Sequence, residues 1–230
     1  MKFDIKNYFE KYKLLVMEPS LFFKSEAREV EYWNILLFFV FFSFLLNALH
    51  TIVDLFSGDF SSISGLIITT VLLFIFPFIA VAYMHLFVLL FKGKKGYLGS
   101  FRAIVYSNTI GVIYDFVLYL ISFGFVGILA SLSETSSLSD IWTSLSGSLL
   151  FWFLGVLFVL VGIAKLVHII YLSMISISMY QGISRKNALI AVLIAKFIIW
   201  VLIVFVILIS VLVLNAIGTT EILSGSSLLI

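Results

Sequence analysis

Five long apolar runs constrain this chain more than any other feature. They cover about Asn34–Phe56, Leu66–Phe91, Phe101–Ala130, Leu149–Tyr180 and Ala188–Ile217. A membrane-crossing helix needs about 20 mostly apolar residues, and each run supplies them. A spanning β-strand would alternate apolar and polar residues, and these runs do not. Helix is then the only spanning form left, because lipid cannot satisfy open backbone groups. Several runs exceed 25 residues, which predicts tilt or an extension into the interface. With 63% hydrophobic residues and a mean hydropathy of +1.23, the chain lies far from soluble, disordered or disulfide-stapled classes. It has no cysteine, which removes thiol catalysis and thiolate metal sites.

Charge placement sets the expected topology. Lys2, Lys6, Lys11, Lys13, Lys24 and Arg28 precede the first run. Ser57–Ser64 has only Asp59; Lys92–Ser100 has Lys92, Lys94 and Lys95, with Arg102 just beyond. Ser131–Ser148 has Glu134 and Asp140 but no base; Gln181–Asn187 has Arg185 and Lys186; the tail after Ile217 has only Glu221. Basic and base-free connections alternate throughout. Lys and Arg concentrate on the cytoplasmic side of membranes, so the N-terminus is predicted inside and the C-terminus outside or lumenal. The predicted fold class is all-α: five transmembrane helices (34–217) behind a cytoplasmic amphipathic segment (1–33), with a short outside tail (218–230). Trp33, Trp142 and Trp152 fall near run ends, where an aromatic belt sits. The first run is too long and too far along to read as a cleaved signal peptide.

In the entry segment Ile5, Phe9, Tyr12 and Val16 recur at helical spacing, flanked by Phe3 and Tyr8, and the lysines take the other positions. That pattern predicts an amphipathic helix in the cytoplasmic interface, ended by Pro19, with Leu21, Phe22 and Phe23 dipping back toward the membrane. Such a stripe serves either to pack under the bundle or to meet lipid or a cytosolic partner. Six bases balanced by six acids in residues 1–33 argue against a polybasic lipid anchor. The candidate partner or lipid face comprises Phe9, Tyr12, Phe22, Phe23, Lys92, Lys94, Lys95, Arg102, Arg185 and Lys186.

Asp115, Lys165, Lys196, His85 and His168 lie inside the runs, where ionisable groups are costly and point to function or to pairing. At 1.5 Å per residue, Asp115 and Lys165 both sit roughly 20 Å from the cytoplasmic ends of their helices, which permits an ion pair. His168, three residues from Lys165, shares its face. His168, Lys196 and His85 fall roughly 9–15 Å deep, so a polar cluster is expected. It would either hold helices in register or form a path for ions, protons or solutes. His50 and Asp54, four apart, supply two metal ligands, and two do not make a site. Gly155 and Gly162, with Ser173, Ser176 and Ser178, suit close helix packing or a homo-oligomer contact, and Pro77 should kink the second run. Phosphate-loop, zinc-protease and nucleophile-elbow motifs are missing, and the few bases follow topology. The reading is therefore non-enzymatic, without cofactor, metal or nucleic acid, and with the lipid bilayer as its first partner.

Three segments carry a family resemblance. They are Asn7-Tyr-Phe-Glu-Lys-Tyr-Lys-Leu-Leu-Val-Met-Glu-Pro19-Ser-Leu-Phe22-Phe23, Gly93-Lys-Lys-Gly96-Tyr-Leu-Gly-Ser-Phe-Arg102-Ala-Ile-Val-Tyr106-Ser107, and Gly182-Ile-Ser184-Arg185-Lys186-Asn-Ala188. Together with the layout they resemble the Yip family of five-span Ypt/Rab-interacting membrane proteins, in its prokaryotic form. The chain departs from many members in having Asn108-Thr109-Ile110 where a proline follows the Tyr-Ser pair, and it lacks the Asp-Leu-Tyr-Gly-Pro signature of eukaryotic members. The resemblance implies a scaffold for membrane organisation, for trafficking-like processes or for recruitment of cytoplasmic partners. Binding of a Rab-type GTPase is not carried over. The membrane would be the plasma membrane in a prokaryote and the Golgi or ER in a eukaryote. The rival expectation is a small ion, proton or solute transporter or channel built on Asp115, Lys165, His168 and Lys196.

Overall fold

The computed structural model describes the backbone of residues 5–28, 31–56, 60–133 and 148–225, and side chains as far as 128 and 212 in the last two segments. Lys2, Phe3, Glu29, Asp59, Glu134, Asp140 and Trp142 lie outside the described residues, as does the side chain of Glu221. The described chain is helical, with α1 (Ile5–Met17), α2 (Pro19–Ser25), a 3₁₀ turn (Glu26–Arg28), α3 (Tyr32–Phe56), α4 (Ser62–Leu90), α5 (Gly96–Thr109), α6 (Gly111–Ser133), α7 (Leu149–Gln181) and α8 (Arg185–Gly225). Five stretches are long and apolar enough to cross a membrane: α3, α4, the α5–α6 pair, α7, and α8 to Leu212.

The third span is interrupted for one residue at Ile110, between α5 and α6, where the backbone keeps helical angles (φ −61°, ψ −26°). Three side chains just before it draw on the helix's own carbonyls. Ser107 Oγ, Asn108 Nδ2 and Thr109 Oγ1 each donate to the carbonyl four residues back, at 2.6, 2.8 and 2.9 Å. Side chains that compete for the helix's own carbonyls bend it, and Gly111 follows at once with the lowest helix propensity short of proline. The Thr109 carbonyl at the break accepts the Tyr12 hydroxyl from α1 at 3.3 Å. Pro77, by contrast, sits within an uninterrupted α4.

The core gathers at the end where the basic loops emerge. The buried positions fall at Ile35–Ser43 of α3, Val81–Val88 of α4, nearly all of α5, Ile169–Gln181 of α7 and Ala188–Ala195 of α8. The short helix α5 is central and packs against α3, α4 and α7. Tyrosine hydroxyls stitch neighbouring elements through backbone carbonyls: Tyr83 to Ala195 at 2.8 Å, Tyr97 to Phe78 at 2.7 Å and Tyr180 to Phe23 at 2.8 Å. Ser107 and Ser176, their Oγ atoms 3.0 Å apart, tie α5 to α7. From Phe197 to Leu212, α8 exposes almost its whole circumference. A helix apolar all round is at home in lipid.

The entry segment is part of this core. Pro19 occupies the first turn of α2, where its missing N–H costs nothing, so α1 and α2 form a helical hairpin. The inward stripe of α1 is Tyr8, Tyr12 and Leu15, whereas Ile5 and Phe9 stay half exposed. This corrects the expected Ile5–Phe9–Tyr12–Val16 face by about one position. Tyr8 and Tyr12 pack on Phe38, Phe41 and Phe42, and Phe22 meets Phe38 and Tyr106 edge-on or tilted. Tyr12 suits the buried stripe because its ring fills the core while its hydroxyl reaches the Thr109 carbonyl.

Candidate functional site

The expected intramembrane cluster keeps Asp115, Lys165, His168 and Lys196 in one neighbourhood and loses His85. Asp115 and Lys165 form an ion pair between α6 and α7. One residue away, Tyr114 Oη lies 2.9 Å from His168 Nδ1, so adjacent residues of α6 are fastened twice to one face of α7. Lys196, half buried on α8, is within electrostatic reach of Lys165 and has no carboxylate partner among the described residues. His85 belongs elsewhere: its Nδ1 lies 2.8 Å from Ser100 Oγ at the basic end.

Asp115 also lines a chamber of about 500 Å³ between the helices. Ser43, Asn47 and His50 of α3 and Asp115, Tyr119 and Ser122 of α6 line it, with Asn108 and the apolar Phe39, Leu46, Leu73, Val112, Leu118 and Phe158 making the rest of the wall. The His50 and Tyr119 rings stack with centroids 3.7 Å apart. His50 Nε2 and Tyr119 Oη are buried and have no hydrogen-bond partner among the described residues. An orphaned buried polar atom costs about 1–3 kcal/mol, so two in one chamber call for an explanation. Of these residues, only Asp115 and His50 stand out in the sequence. The signal for the others is a spacing: Ser43, Asn47, His50 and Asp115, Tyr119, Ser122 both run i, i+4, i+7 and so line one helix face each. The suggested metal pair His50 and Asp54 gains no third ligand, since no group of three or more His, Cys, Asp or Glu suited to a metal occurs among the described residues. A Cβ at Gly155 would meet Phe125 Cζ at 3.9 Å, an ordinary contact, and one at Gly162 would meet nothing within 4 Å among the described residues.

The basic end forms a second site. Gln181, fully buried at the end of α7, accepts from the Lys95 N–H at 3.1 Å and donates to the Gly96 carbonyl at 2.8 Å and Ser100 Oγ at 3.0 Å. Its own carbonyl accepts from the Lys94 N–H at 3.2 Å. This clamp explains the glycines of the loop. A Cβ at Gly99 would lie 2.7 Å from Gln181 Nε2, and one at Gly93 would lie 2.6 Å from Val88 Cγ1. Gly182 ends α7 in the left-handed region, φ +66°, where glycine pays no Cβ penalty. The two basic loops are thereby held side by side, with Lys92, Lys94, Lys95, Arg185 and Lys186 exposed.

Four residues expected on this outer face turn inward instead. Phe22 and Phe23 are completely buried, and Tyr12 and Arg102 are 9% exposed. The Arg102 guanidinium donates to the Ala27 carbonyl and lies 5.0 Å from the Tyr180 ring centroid. Glu26, also buried, accepts from Lys11 Nζ at 2.9–3.0 Å and from Tyr106 Oη at 3.0 Å. Burial pushes the Tyr12 phenol above its ordinary value. These side chains fasten the hairpin, because a charge taken from water must be paired and hydrogen-bonded. Phe9 alone of the expected aromatic face remains half exposed. Comparison of the chain with family models, with curated proteins and with solved structures finds no match.

Proposed function

We propose that this multi-pass membrane protein is a non-enzymatic scaffold of the Yip type, whose cytoplasmic end recruits an acidic partner or organises the membrane around it. The observation that carries this reading is the Gln181 clamp, which fixes two basic loops together and holds five exposed cations free of carboxylate partners among the described residues. A rigid surface loses less entropy on docking than a mobile loop. The test is photo-crosslinking in native membranes from positions 94 and 185, comparing wild type with a variant in which Lys92, Lys94, Lys95, Arg185 and Lys186 are all Gln. Loss of specific adducts with topology and folding retained is the expected result; the same adducts in both would refute the reading. Deleting residues 1–23 is a poor test, because the hairpin is built into the core.

The polar chamber favours a second reading, a small ion, proton or solute transporter using Asp115 with Lys165 and Lys196. His168 is already engaged by Tyr114. Proteoliposome flux lost in both Asp115→Asn and Lys165→Met would establish this rival. Absence of flux over a broad ion and solute panel would remove it.

A further inference from the structure

Lys196 stands at the point where α8 parts from the bundle. Just before it, Ala188, Ala191, Val192 and Ala195 are buried, and the Ala195 carbonyl receives the Tyr83 hydroxyl of α4. From Phe197 to Leu212 the helix exposes almost its whole circumference. Leu193 and Trp200, three residues before Lys196 and four after, share its side of the helix and are exposed. The lysine therefore borders the lipid-facing surface.

The charge at this point is unbalanced. Lys196 makes no hydrogen bond or ion pair among the described residues, and it is not in the wall of the polar chamber. The charge that reaches it within the chain is that of Lys165, a like charge, and Lys165 is already held by Asp115. Two cations and one carboxylate leave one positive charge over. The side chain is too short to carry that charge to water. Lys196 lies about 16 Å along α8 from Arg185, and its stem recovers only about 6 Å of this. That depth is near the middle of a hydrocarbon core of about 30 Å, below the phosphates of a phospholipid.

Ionisable groups at such depth pair with one another. A second copy of this chain in the same orientation supplies no match. Its described membrane carboxylates, Asp54 and Asp115, lie about 33 and 28 Å from the helix starts at Tyr32 and Gly96, and Asp115 is already paired. We propose that Lys196 anchors a lateral contact with a transmembrane helix of another membrane protein, one that carries an Asp or Glu near its middle. The carboxylate meets Lys196, and the apolar surface of the partner packs along α8 from Phe197 onward. A helix holds its carboxylate at a fixed depth, which neither a phospholipid phosphate nor a soluble acidic protein does. The contact is separate from the basic loops and stands or falls without them.

The test uses the full chain in phosphatidylcholine liposomes. A donor fluorophore is placed on Ser20→Cys of the otherwise cysteine-free chain, and an acceptor on a synthetic helix of about 20 leucines flanked by lysines. The peptides carry Asp at the centre, Asn at the centre, Asp two turns off centre, or leucine throughout. Energy transfer should saturate with the central Asp peptide, at an apparent affinity at least ten-fold above the other three. Lys196→Met should abolish that preference. Lys196→Glu should transfer it to a peptide with a central Lys, which keeps the test open if the Met variant does not fold. Gln at Lys92, Lys94, Lys95, Arg185 and Lys186 together should leave the preference unchanged. Equal affinity of the Asp and leucine peptides, or an Asp preference retained in Lys196→Met, would overturn the proposal. An Asn peptide bound as well as the Asp peptide would overturn the ion pair. Loss of the preference in the loop variant would move the contact to the loops and overturn it too. Saturable oleate binding that requires Lys196, with no preference among the peptides, would assign the site to a fatty acid instead.

Discussion

Replacing Gln181 by alanine removes three hydrogen bonds at once, and the structure allows the cost to be estimated. The Lys95 N–H, the Gly96 carbonyl and Ser100 Oγ all lose their Gln181 partner. A fully buried orphan costs about 1–3 kcal/mol. Lys95 and Gly96 lie on an exposed loop and regain water, and Ser100 keeps His85, so each falls at the low end. The sum is about 2–4 kcal/mol, or roughly 30- to 700-fold in the folding equilibrium. Gly99→Ala attacks the same spot from the other side. Its new Cβ would stand 2.7 Å from Gln181 Nε2 and 3.0 Å from the Tyr180 carbonyl. Overpacking of this kind costs about 1–3 kcal/mol. In the double variant the first clash disappears and the second remains. The two changes should therefore fall short of additivity by about 1 kcal/mol or more. Equilibrium unfolding in mixed SDS micelles, followed by tryptophan fluorescence, measures all four corners of the cycle. Limited proteolysis within residues 92–95 reads the loop itself and should accelerate in every variant. A loss below 0.5 kcal/mol for Gln181→Ala, or strict additivity, would refute the clamp.

Tyr12→Phe deletes the hydroxyl that meets the Thr109 carbonyl and should cost about 1 kcal/mol. The phenol's pKa is raised by burial, so its stabilisation is fully present below the ordinary value of about 10 and is lost as the pH rises beyond it. Alkaline release of α1, measured by proteolysis at the α1–α2 turn, should be weaker in the Phe variant. Asp115→Leu and Lys165→Met each strand a charge, while the double variant removes both. The pair is partly exposed, which reduces the usual penalty, so a coupling of about 1–2 kcal/mol is expected by the same unfolding assay. Glu26→Gln breaks the charge-assisted bonds to Lys11 and Tyr106 and should destabilise by about 1–3 kcal/mol, with cleavage near Pro19 increasing before global unfolding.

Hydropathy located the spans because burying a helix in lipid depends on summed transfer energy, which a window of 20 residues averages well. Predicted and observed ends differ by only a few residues at Phe56, Leu90 and Gln181. The same averaging hides the break at Ile110, which rests on three consecutive side chains that bond their own helix and on one glycine. It also hides direction. The balance of charges in residues 1–33 reads as a solvated segment, yet Lys11, Glu26 and Arg102 find partners only once α1 and α2 fold back on the bundle. The Asp115–Lys165 pair was legible because equal depth on neighbouring helices is simple arithmetic. The place of His85, away from that pair beside Ser100, was not, since depth says nothing about which way a helix is turned. The polar stripes of α3 and α6 could have been found by asking which uncharged polar residues repeat at i, i+4, i+7 within an apolar run.

The break at Ile110 also explains how one bundle holds both a tight end and an open chamber. Three neighbouring residues divide the work. Ser107 faces α7 and closes the packed end through Ser176; Asn108 lines the chamber; the Thr109 carbonyl receives Tyr12 from the entry hairpin. Beyond the interruption, α3 and α6 line a space with Ser43, Asn47, His50, Asp115, Tyr119 and Ser122, where α3 and α5 pack closely on the other side of it. Substituting Ser107, Asn108 and Thr109 together by alanine restores helix propensity and removes all three back-bonds. If the interruption sets the spacing of α3 and α6, that variant should change the rate of disulfide crosslinking between Asn47→Cys and Tyr119→Cys in the cysteine-free chain, while keeping its loops at residues 92–95 and 181–187 as resistant to protease as wild type, because the Gln181 clamp meets α5 at Gly96 and Ser100, about two turns or more away.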